Sequence, residues 1–254
     1  MNDLIGLDGQ LSHLRADADR IAQLFEDAGP STAVSSCPGW DLHALVTHLG
    51  FVHRWANAAV ITAQPPTPDA FEMPPSDLTT AELANWLRDG ADALCQSLAD
   101  ADLDAPTWHP FPLAQVTRIW PRRQMIETAV HRCDAEAATG IDPQLDAQVA
   151  AMGLQEFFDL ALPRVFDREG ASVPLQSLHL HCTDDDLPDG SGEWIMWGED
   201  NQLRVEAVHR KGDAALRGSA SDLLLVMTGR RDRSSIDVVG DVAAVDAWLG
   251  LPGL

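Results

Sequence analysis

Two residues with metal-binding side chains lie one helical turn apart in the N-terminal half of the chain. Glu127 and His131 are four residues apart, so on an α-helix their side chains share one face. A carboxylate oxygen and an imidazole nitrogen placed in this way can both reach an atom about 2 Å from each. The spacing therefore predicts two ligands of a metal site, and a third must come from another helix.

His48 is the predicted third ligand. It shares a helical face with Leu45, Val52 and Trp55, which points it toward the interior of a helical bundle. A set of two histidines and one glutamate leaves one coordination position open, as in catalytic rather than structural zinc sites. Asp134 lies one turn beyond His131, on the helical face that carries Glu127 and His131, and is placed to orient an imidazole ring.

Other interpretations of these residues remain open on spacing alone. A glutamate and a histidine four residues apart occur often by chance, usually as an exposed ion pair. A single histidine such as His48 on an apolar face is more often a hydrogen-bonded core residue. For His53, one turn beyond it, a solvated position is favoured over one lining a pocket, and for Trp40 packing is favoured over ligand contact.

Hydrophobic spacing predicts the helices that position these side chains. Apolar residues recur at steps of three and four, and Thr79 has the spacing of a capping box with Glu82. The predicted helices cover residues 7–28, 42–56, 80–98, 121–140 and 143–158. Long helices joined by short and proline-rich connections, here at residues 64–68, predict an antiparallel four-helix bundle.

The pattern changes near residue 170. Residues 178–182 alternate with a period of two, which predicts a half-buried strand. Further strands are predicted at 194–197, 203–208 and 235–239, with short helices at 221–227 and 242–248. The predicted fold class is α+β, with a helical domain at 1–168 and a small α/β domain at 169–254.

His179 and His181 lie on one face of the first predicted strand. Two such histidines could bind a metal ion. A solvent-facing pair is favoured, because neither a carboxylate nor a cysteine accompanies them at metal-binding spacing.

Composition limits the kind of partner. The chain has 254 residues, 39 acidic against 17 basic, and a formal net charge of −22. Such a surface repels phosphate backbones and anionic lipids, so we expect neither nucleic-acid nor membrane binding. No apolar run of membrane-spanning length, no signal-peptide pattern and four widely spaced cysteines predict a cytoplasmic protein with reduced thiols.

Several motifs resemble one known family. Its first motif is matched by CPGWD at residues 37–41, LVTHLG at 45–50 and VHRWA at 52–56, and its second by ETAVHR at 127–132 and DAE at 134–136. The C-terminal matches are LHLH at 178–181, GSASDLL at 218–224, GR at 229–230 and GD at 240–241. In this order the motifs resemble the mycothiol-dependent maleylpyruvate isomerase family over nearly the whole chain.

The resemblance implies a fold, a metal and a thiol cosubstrate. It implies a DinB/YfiT-like N-terminal bundle and a sterol-carrier-like C-terminal domain. His48, Glu127 and His131 match the ligands of Zn²⁺ or another divalent metal, and Arg230 matches an arginine supplied to the active site. Arg231 and Arg233 are close enough to leave the choice of arginine open. The family is actinobacterial in character and uses mycothiol, a sugar-linked cysteine thiol.

Three functions are compatible with these residues. In the first, a metal-activated thiolate adds to an electrophilic substrate and isomerises a cis double bond, and Arg230 holds a carboxylate or enolate oxygen. In the second, the thiolate stays attached, as in a mycothiol S-transferase. In the third, the protein binds a metal or small ligand without turnover. The expected partners are a small-molecule thiol and an electrophile, and the sequence leaves monomer and homodimer open.

Overall fold

The computed structural model describes residues 4–67, 69–71, 73–169 and 171–251. Pro68, within the predicted proline-rich connection, lies outside the described residues. The chain divides into two compact units, Met1–Pro143 and Gln144–Leu254. The first unit is helical and the second contains a sheet, so the α+β fold class with two domains is confirmed.

Within the described residues, the first unit contains four long helices. These are α1 (Leu7–Ala28), α2 (Leu42–Thr62), α3 (Thr80–Asp100) and α4 (Ile119–Ala138). Two short antiparallel strands, β1 (Ala33–Val34) and β2 (Trp40–Asp41), precede α2. Helix α1 packs against α3 and α4, and α2 packs against α3.

Local sequence signals start the two middle helices. The Asp41 side chain accepts a hydrogen bond of 2.9 Å from the Ala44 amide and so caps α2. Thr79 and Glu82 form both hydrogen bonds of a capping box at the start of α3, as the spacing predicted. The start of α2 is thereby fixed about two turns before His48.

The bundle core holds α2 against its neighbours. Leu45, Val46 and Leu49 are fully buried and belong to one apolar cluster with residues of α1 and α3, including Phe25 and Leu87. Burying side chains of this size contributes roughly 1.5–3 kcal/mol each. The helical face next to His48 is therefore held by packing and does not depend on a bound ion.

Helices α2 and α3 approach closely at Gly50. A Cβ atom at this position would overlap the ring of Trp86. The guanidinium of Arg54, one turn further along α2, lies 3.9 Å from the centroid of the same ring and donates to the Trp86 carbonyl at 2.8 Å. A glycine is thus required sterically two residues after His48.

The second unit is a five-stranded sheet with helices. Its helices are α5 (Ala147–Glu156), continued by a π-helical turn (Phe157–Ala161), α6 (Leu162–Glu169), α7 (Ala220–Met227) and α8 (Val242–Leu249). Its strands are β3 (Leu178–Cys182), β4 (Glu193–Glu199), β5 (Gln202–Glu206), β6 (Ala214–Gly218) and β7 (Asp237–Gly240). The strand order is β5-β4-β3-β6-β7, with β3 parallel to β6 and the other pairs antiparallel.

The compact units divide at 143/144, whereas the sequence placed the domain boundary at 168/169. Helix α5, assigned to the bundle from its sequence pattern, packs against α7 of the second unit. The Leu145 amide donates to Ser221 Oγ at 3.0 Å, and Trp194 Nε1 donates to Gln155 Oε1 at 2.8 Å. Hydrophobic periodicity identifies a helix but not the unit on which it packs, which explains the difference.

Strand β6 was not predicted. Its sequence, Ala-Ala-Leu-Arg-Gly, lacks the β-branched and aromatic residues that mark strands.

Among the described helices, none combines the length and the apolar character that a membrane span requires.

Candidate metal centre

Helices α2 and α4 bring together the three residues predicted as ligands. His48 Nε2 lies 3.2 Å from Glu127 Oε1, and His131 Nε2 lies 3.6 Å from the same oxygen. The three ligand atoms all fall within 4.8 Å of one another. Neighbouring ligand atoms of a tetrahedral zinc ion are about 3.3 Å apart, so the arrangement fits a single small divalent cation.

Asp134 sets the orientation of the His131 ring. Its Oδ2 atom lies 2.8 Å from His131 Nδ1, and its side chain is almost fully buried. An ionised carboxylate accepts the proton of Nδ1, which turns Nε2 toward Glu127 and His48. A carboxylate behind a metal-binding imidazole is a recurring arrangement in metalloproteins. The donor set and its support therefore fit a metal centre.

Arg123 balances the charge of Glu127 from the preceding turn of α4, where the two side chains form an ion pair. Burial by itself would raise the pKa of Glu127. The Arg123 guanidinium and hydrogen bonds from His131 and His48 outweigh burial and hold this pKa well below its usual value. Glu127 is therefore ionised at neutral pH, as a metal ligand must be.

In the metal-free protein, the pKa of the His131 imidazole is raised. Burial by itself would lower its pKa, but hydrogen bonds with Asp134, Cys37 and Glu127 raise the pKa well above its usual value. Without an ion, a proton on Nε2 faces Glu127. A divalent cation would replace that proton, so metal binding releases protons at this centre.

Two residues near the centre were not predicted as part of it. The Trp40 ring lies 4.9 Å from the His48 ring and is stacked on the His131 ring at 5.9 Å, between centroids. Cys37 Sγ lies 3.6 Å from Asp134 Oδ2. Both residues belong to the CPGWD motif at residues 37–41. This motif was the sequence signal that could have placed them at the centre. For Trp40, the sequence had favoured a packing role.

Two other aromatic positions behave differently. Trp55 is half-buried and packs edge-to-face against Trp108 and Trp120, at 5.5 and 5.4 Å between centroids, so the packing role that the sequence favoured is what these contacts support. His53 is fully buried and makes a 2.9 Å hydrogen bond with Thr128 Oγ1, so the preference for a solvated position was wrong. Burial lowers the pKa of His53 to about 3 and keeps it neutral.

The His48 side chain keeps 32% of its exposure, whereas those of Glu127 and His131 keep 17% and 11%. The centre is therefore buried on the α4 side and accessible on the α2 side.

Arg230 lies in the second unit, just after α7. It follows Gly229, whose φ is +70°, and its Nη1 donates to the Thr228 carbonyl at 3.2 Å. The two alternatives are paired within the same unit: Arg231 with Asp222, and Arg233 with Asp246. The role of Arg230 in an active site stays a prediction.

Comparison with known proteins gives two family matches and two structural ones. Residues 11–136 match the mycothiol maleylpyruvate isomerase N-terminal domain, and residues 148–247 match the MDMPI C-terminal domain. Crystal structures of the mycothiol-dependent maleylpyruvate isomerase and of one of its histidine-to-alanine mutants are each similar, with a TM-score of 0.62 and 12% identity over 92% of this chain and 93% of theirs. At this identity the likeness concerns the fold. No curated protein sequence matches the chain.

Proposed function

The chain belongs to the mycothiol-dependent maleylpyruvate isomerase family, and we propose that it catalyses a metal- and thiol-dependent cis-trans isomerisation. The substrate is an electron-poor, cis-configured diacid of the maleylpyruvate type, and the thiol cosubstrate is mycothiol. The observation that carries the proposal is the convergence of His48, Glu127 and His131, whose potential ligand atoms lie within 4.8 Å of one another; three such ligands would leave a fourth coordination position for the thiol.

His48, Glu127 and His131 would hold the ion, for which Zn²⁺ is the best fit to two imidazoles and a carboxylate. When bound, the ion supplies the Lewis acidity that keeps a thiol deprotonated at neutral pH. Asp134 keeps His131 Nε2 directed at the ion site, and Arg123 keeps Glu127 ionised. These two residues act through the ligands and position them.

The proposed reaction conserves the thiol. The thiolate adds to one carbon of the cis double bond, the resulting single bond rotates, and the same thiolate leaves to give the trans isomer. Negative charge develops on the carbonyl side of the substrate during addition. Arg230 is proposed to hold a carboxylate or enolate oxygen there, which also offsets the strongly acidic composition of the chain.

Trp40 offers an apolar face beside the centre. Its ring contacts both imidazoles of the proposed ligand set. Sugar rings commonly pack on exposed aromatic faces, and Trp40 is half-buried. We propose that Trp40 packs against the sugar portion of the thiol.

The test combines metal analysis with product analysis. Purified protein should contain about one divalent ion at this centre, and His48→Ala and His131→Ala should each lose most of it. His43→Ala is the matched control, because His43 is an exposed histidine in the first turn of the same helix. Full occupancy in both ligand variants would remove the centre.

Incubation with mycothiol and maleylpyruvate distinguishes the reactions. Trans product with the thiol regenerated supports the isomerase. A stable thiol conjugate would instead assign an S-transferase, and the absence of both would assign a binding protein. Arg230→Ala should reduce turnover without metal loss, whereas Arg204→Ala, in an exposed ion pair with Glu199, should leave turnover unchanged.

A further inference from the structure

A second group of metal-binding side chains lies within the C-terminal unit. His179, His181, Glu193 and His209 each direct one ligand atom to a common point, and the four atoms lie within 4.8 Å of one another. None of these residues belongs to the proposed active centre. The sequence favoured a solvent-facing pair for the first two histidines, but His179 is buried.

Strand pairing explains how the group assembles. Successive side chains of a strand alternate between faces, so His179 and His181 of β3 point to the same face of the sheet. Glu193 is the first residue of β4 and is the register partner of His181. His209 follows the end of β5, the next strand in the sheet. The missing carboxylate is therefore twelve residues away in sequence and adjacent in space.

The distances centre on one carboxylate oxygen. Glu193 Oε2 lies 3.0 Å from His179 Nε2, 3.2 Å from His181 Nδ1 and 2.5 Å from His209 Nδ1. The three imidazole rings are 5.5–6.1 Å apart between centroids. Ligand atoms around a tetrahedral ion are about 3.3 Å apart, so two of the three spacings already match and the third requires a shift of less than about 1 Å.

The chemistry of the group suits a borderline divalent cation. Three imidazole nitrogens and one carboxylate oxygen are ligands that first-row transition metals accept together, with zinc favouring four-coordinate tetrahedral sites. The alternative is a site without metal, in which one carboxylate oxygen accepts hydrogen bonds from three imidazoles. That arrangement crowds three donors onto a single oxygen, whereas a cation gives each of the four atoms its own bond.

We propose that His179, His181, Glu193 and His209 form a second metal site of the zinc class, separate from the proposed active centre. Four protein ligands complete a tetrahedron and leave no open position, so the site is structural. It joins the segment that follows β5 to strands β3 and β4.

An ion can reach this site from solvent. The histidines line a cavity of about 360 Å³ together with Lys211 and Arg217. The His209 side chain keeps 76% of its exposure, whereas that of His179 keeps 8%. His209 is therefore the most exposed of the four proposed ligands, and we expect a bound ion to restrain its segment.

The first measurement is stoichiometry. Metal-free full-length protein is dialysed against Zn²⁺ at fixed free concentration, and bound metal is counted. His209→Gln, at an exposed position where misfolding is not expected, should lose one equivalent relative to the wild type. His181→Gln should lose the same equivalent, and His43→Gln should lose none.

The second measurement uses a single cleavage site. Lys211 is the only lysine of the chain, so a lysine-specific protease cuts only after this residue, two positions beyond His209. Zn²⁺ should slow cleavage of the wild type severalfold and should not slow cleavage of His209→Gln. This readout reports on the C-terminal site alone.

The outcomes separate this site from the proposed active centre. If wild-type protein bound one ion that His209→Gln lost and His48→Ala kept, the second site would stand and the active centre would fail. Zinc stoichiometry unchanged by both C-terminal substitutions would overturn the second site. Wild-type cleavage at Lys211 that proceeds at the same rate with and without Zn²⁺ would also overturn it.

Discussion

Asp134 Oδ2 lies 2.8 Å from His131 Nδ1, and this contact determines which ring nitrogen faces the centre of the proposed metal site. The Asp134 side chain is buried and also accepts a hydrogen bond from Cys37 Sγ at 3.6 Å. One carboxylate thus connects a proposed ligand on α4 with the segment that precedes α2.

Asp134→Asn tests this contact with little change of shape. The amide removes the negative charge, and either its oxygen or its NH₂ group faces Nδ1. We expect metal affinity to fall by about 10- to 100-fold, measured by competition with a chelator. Asp92→Asn is the control, because Asp92 lies in an exposed ion pair with Arg15. Equal affinities in both variants would show that Asp134 does not position the ligand.

Trp40 should affect thiol binding more than turnover. Loss of an aromatic packing partner costs about 0.5–1.5 kcal/mol, so Trp40→Ala should raise KM for the thiol by about 2- to 12-fold with kcat little changed. Trp40→Phe keeps an aromatic face, so its KM for the thiol should stay close to that of the wild type. A variant that lowers kcat at unchanged KM would place Trp40 outside the thiol site.

The sequence predicted helices and metal-binding residue types better than the residues that surround them. Glu127 and His131 were paired because a helix repeats every 3.6 residues, and the choice of His48 followed from its apolar face. Their meeting at one point depends on how α2 packs beside α4, which no local pattern encodes. Spacing and the apolar face nominated His48, and the family resemblance added independent support for linking it to Glu127 and His131.

Residues that act across strands or loops were missed for the same reason. Glu193 meets His181 through strand register, and His209 reaches them from a segment without periodicity. The burial of His53 follows from its contact with Thr128 on another helix. The sequence placed helix α5 with the bundle, whereas it packs against α7, because its apolar face is equally suited to either.

His53 should make the protein sensitive to acid. Its folded pKa of about 3 lies below the value of 6.5 in an unfolded chain, because burial disfavours the charged form, with Arg54 and His48 adding to the effect and Glu127 opposing it. The unfolded chain therefore binds a proton that the folded chain does not. The contribution is fully present above pH 6.5 and declines as the pH falls toward 3. Between pH 7 and pH 5 this group alone should cost about 2 kcal/mol.

Denaturant unfolding of metal-free protein at several pH values checks this expectation. His53→Gln can keep a hydrogen bond with Thr128 and cannot titrate, so its stability should fall less steeply between pH 6.5 and pH 5. His43→Gln should follow the wild-type slope, because His43 is exposed. Identical slopes for wild type and His53→Gln would contradict the prediction.

Gly50→Ala should destabilise the bundle from a position close to the centre. The added methyl group would overlap the Trp86 ring. This ring also packs against the guanidinium of Arg54, which limits how far it can move. We expect a loss of about 1–3 kcal/mol in unfolding free energy, measured by chemical denaturation. Gly6→Ala is the control, since a Cβ atom there meets nothing within 4 Å. A neutral effect at position 50 would mean that α2 and α3 separate without cost.

His48, Glu127 and His131 already touch one another in a bundle whose apolar core forms without them. Stripping the ion with a chelator should therefore leave the helical circular-dichroism signal intact, and activity should return as fast as the ion diffuses back. A zinc finger unfolds when its ion is removed. This protein would instead stay folded without metal and become active when a divalent ion is supplied.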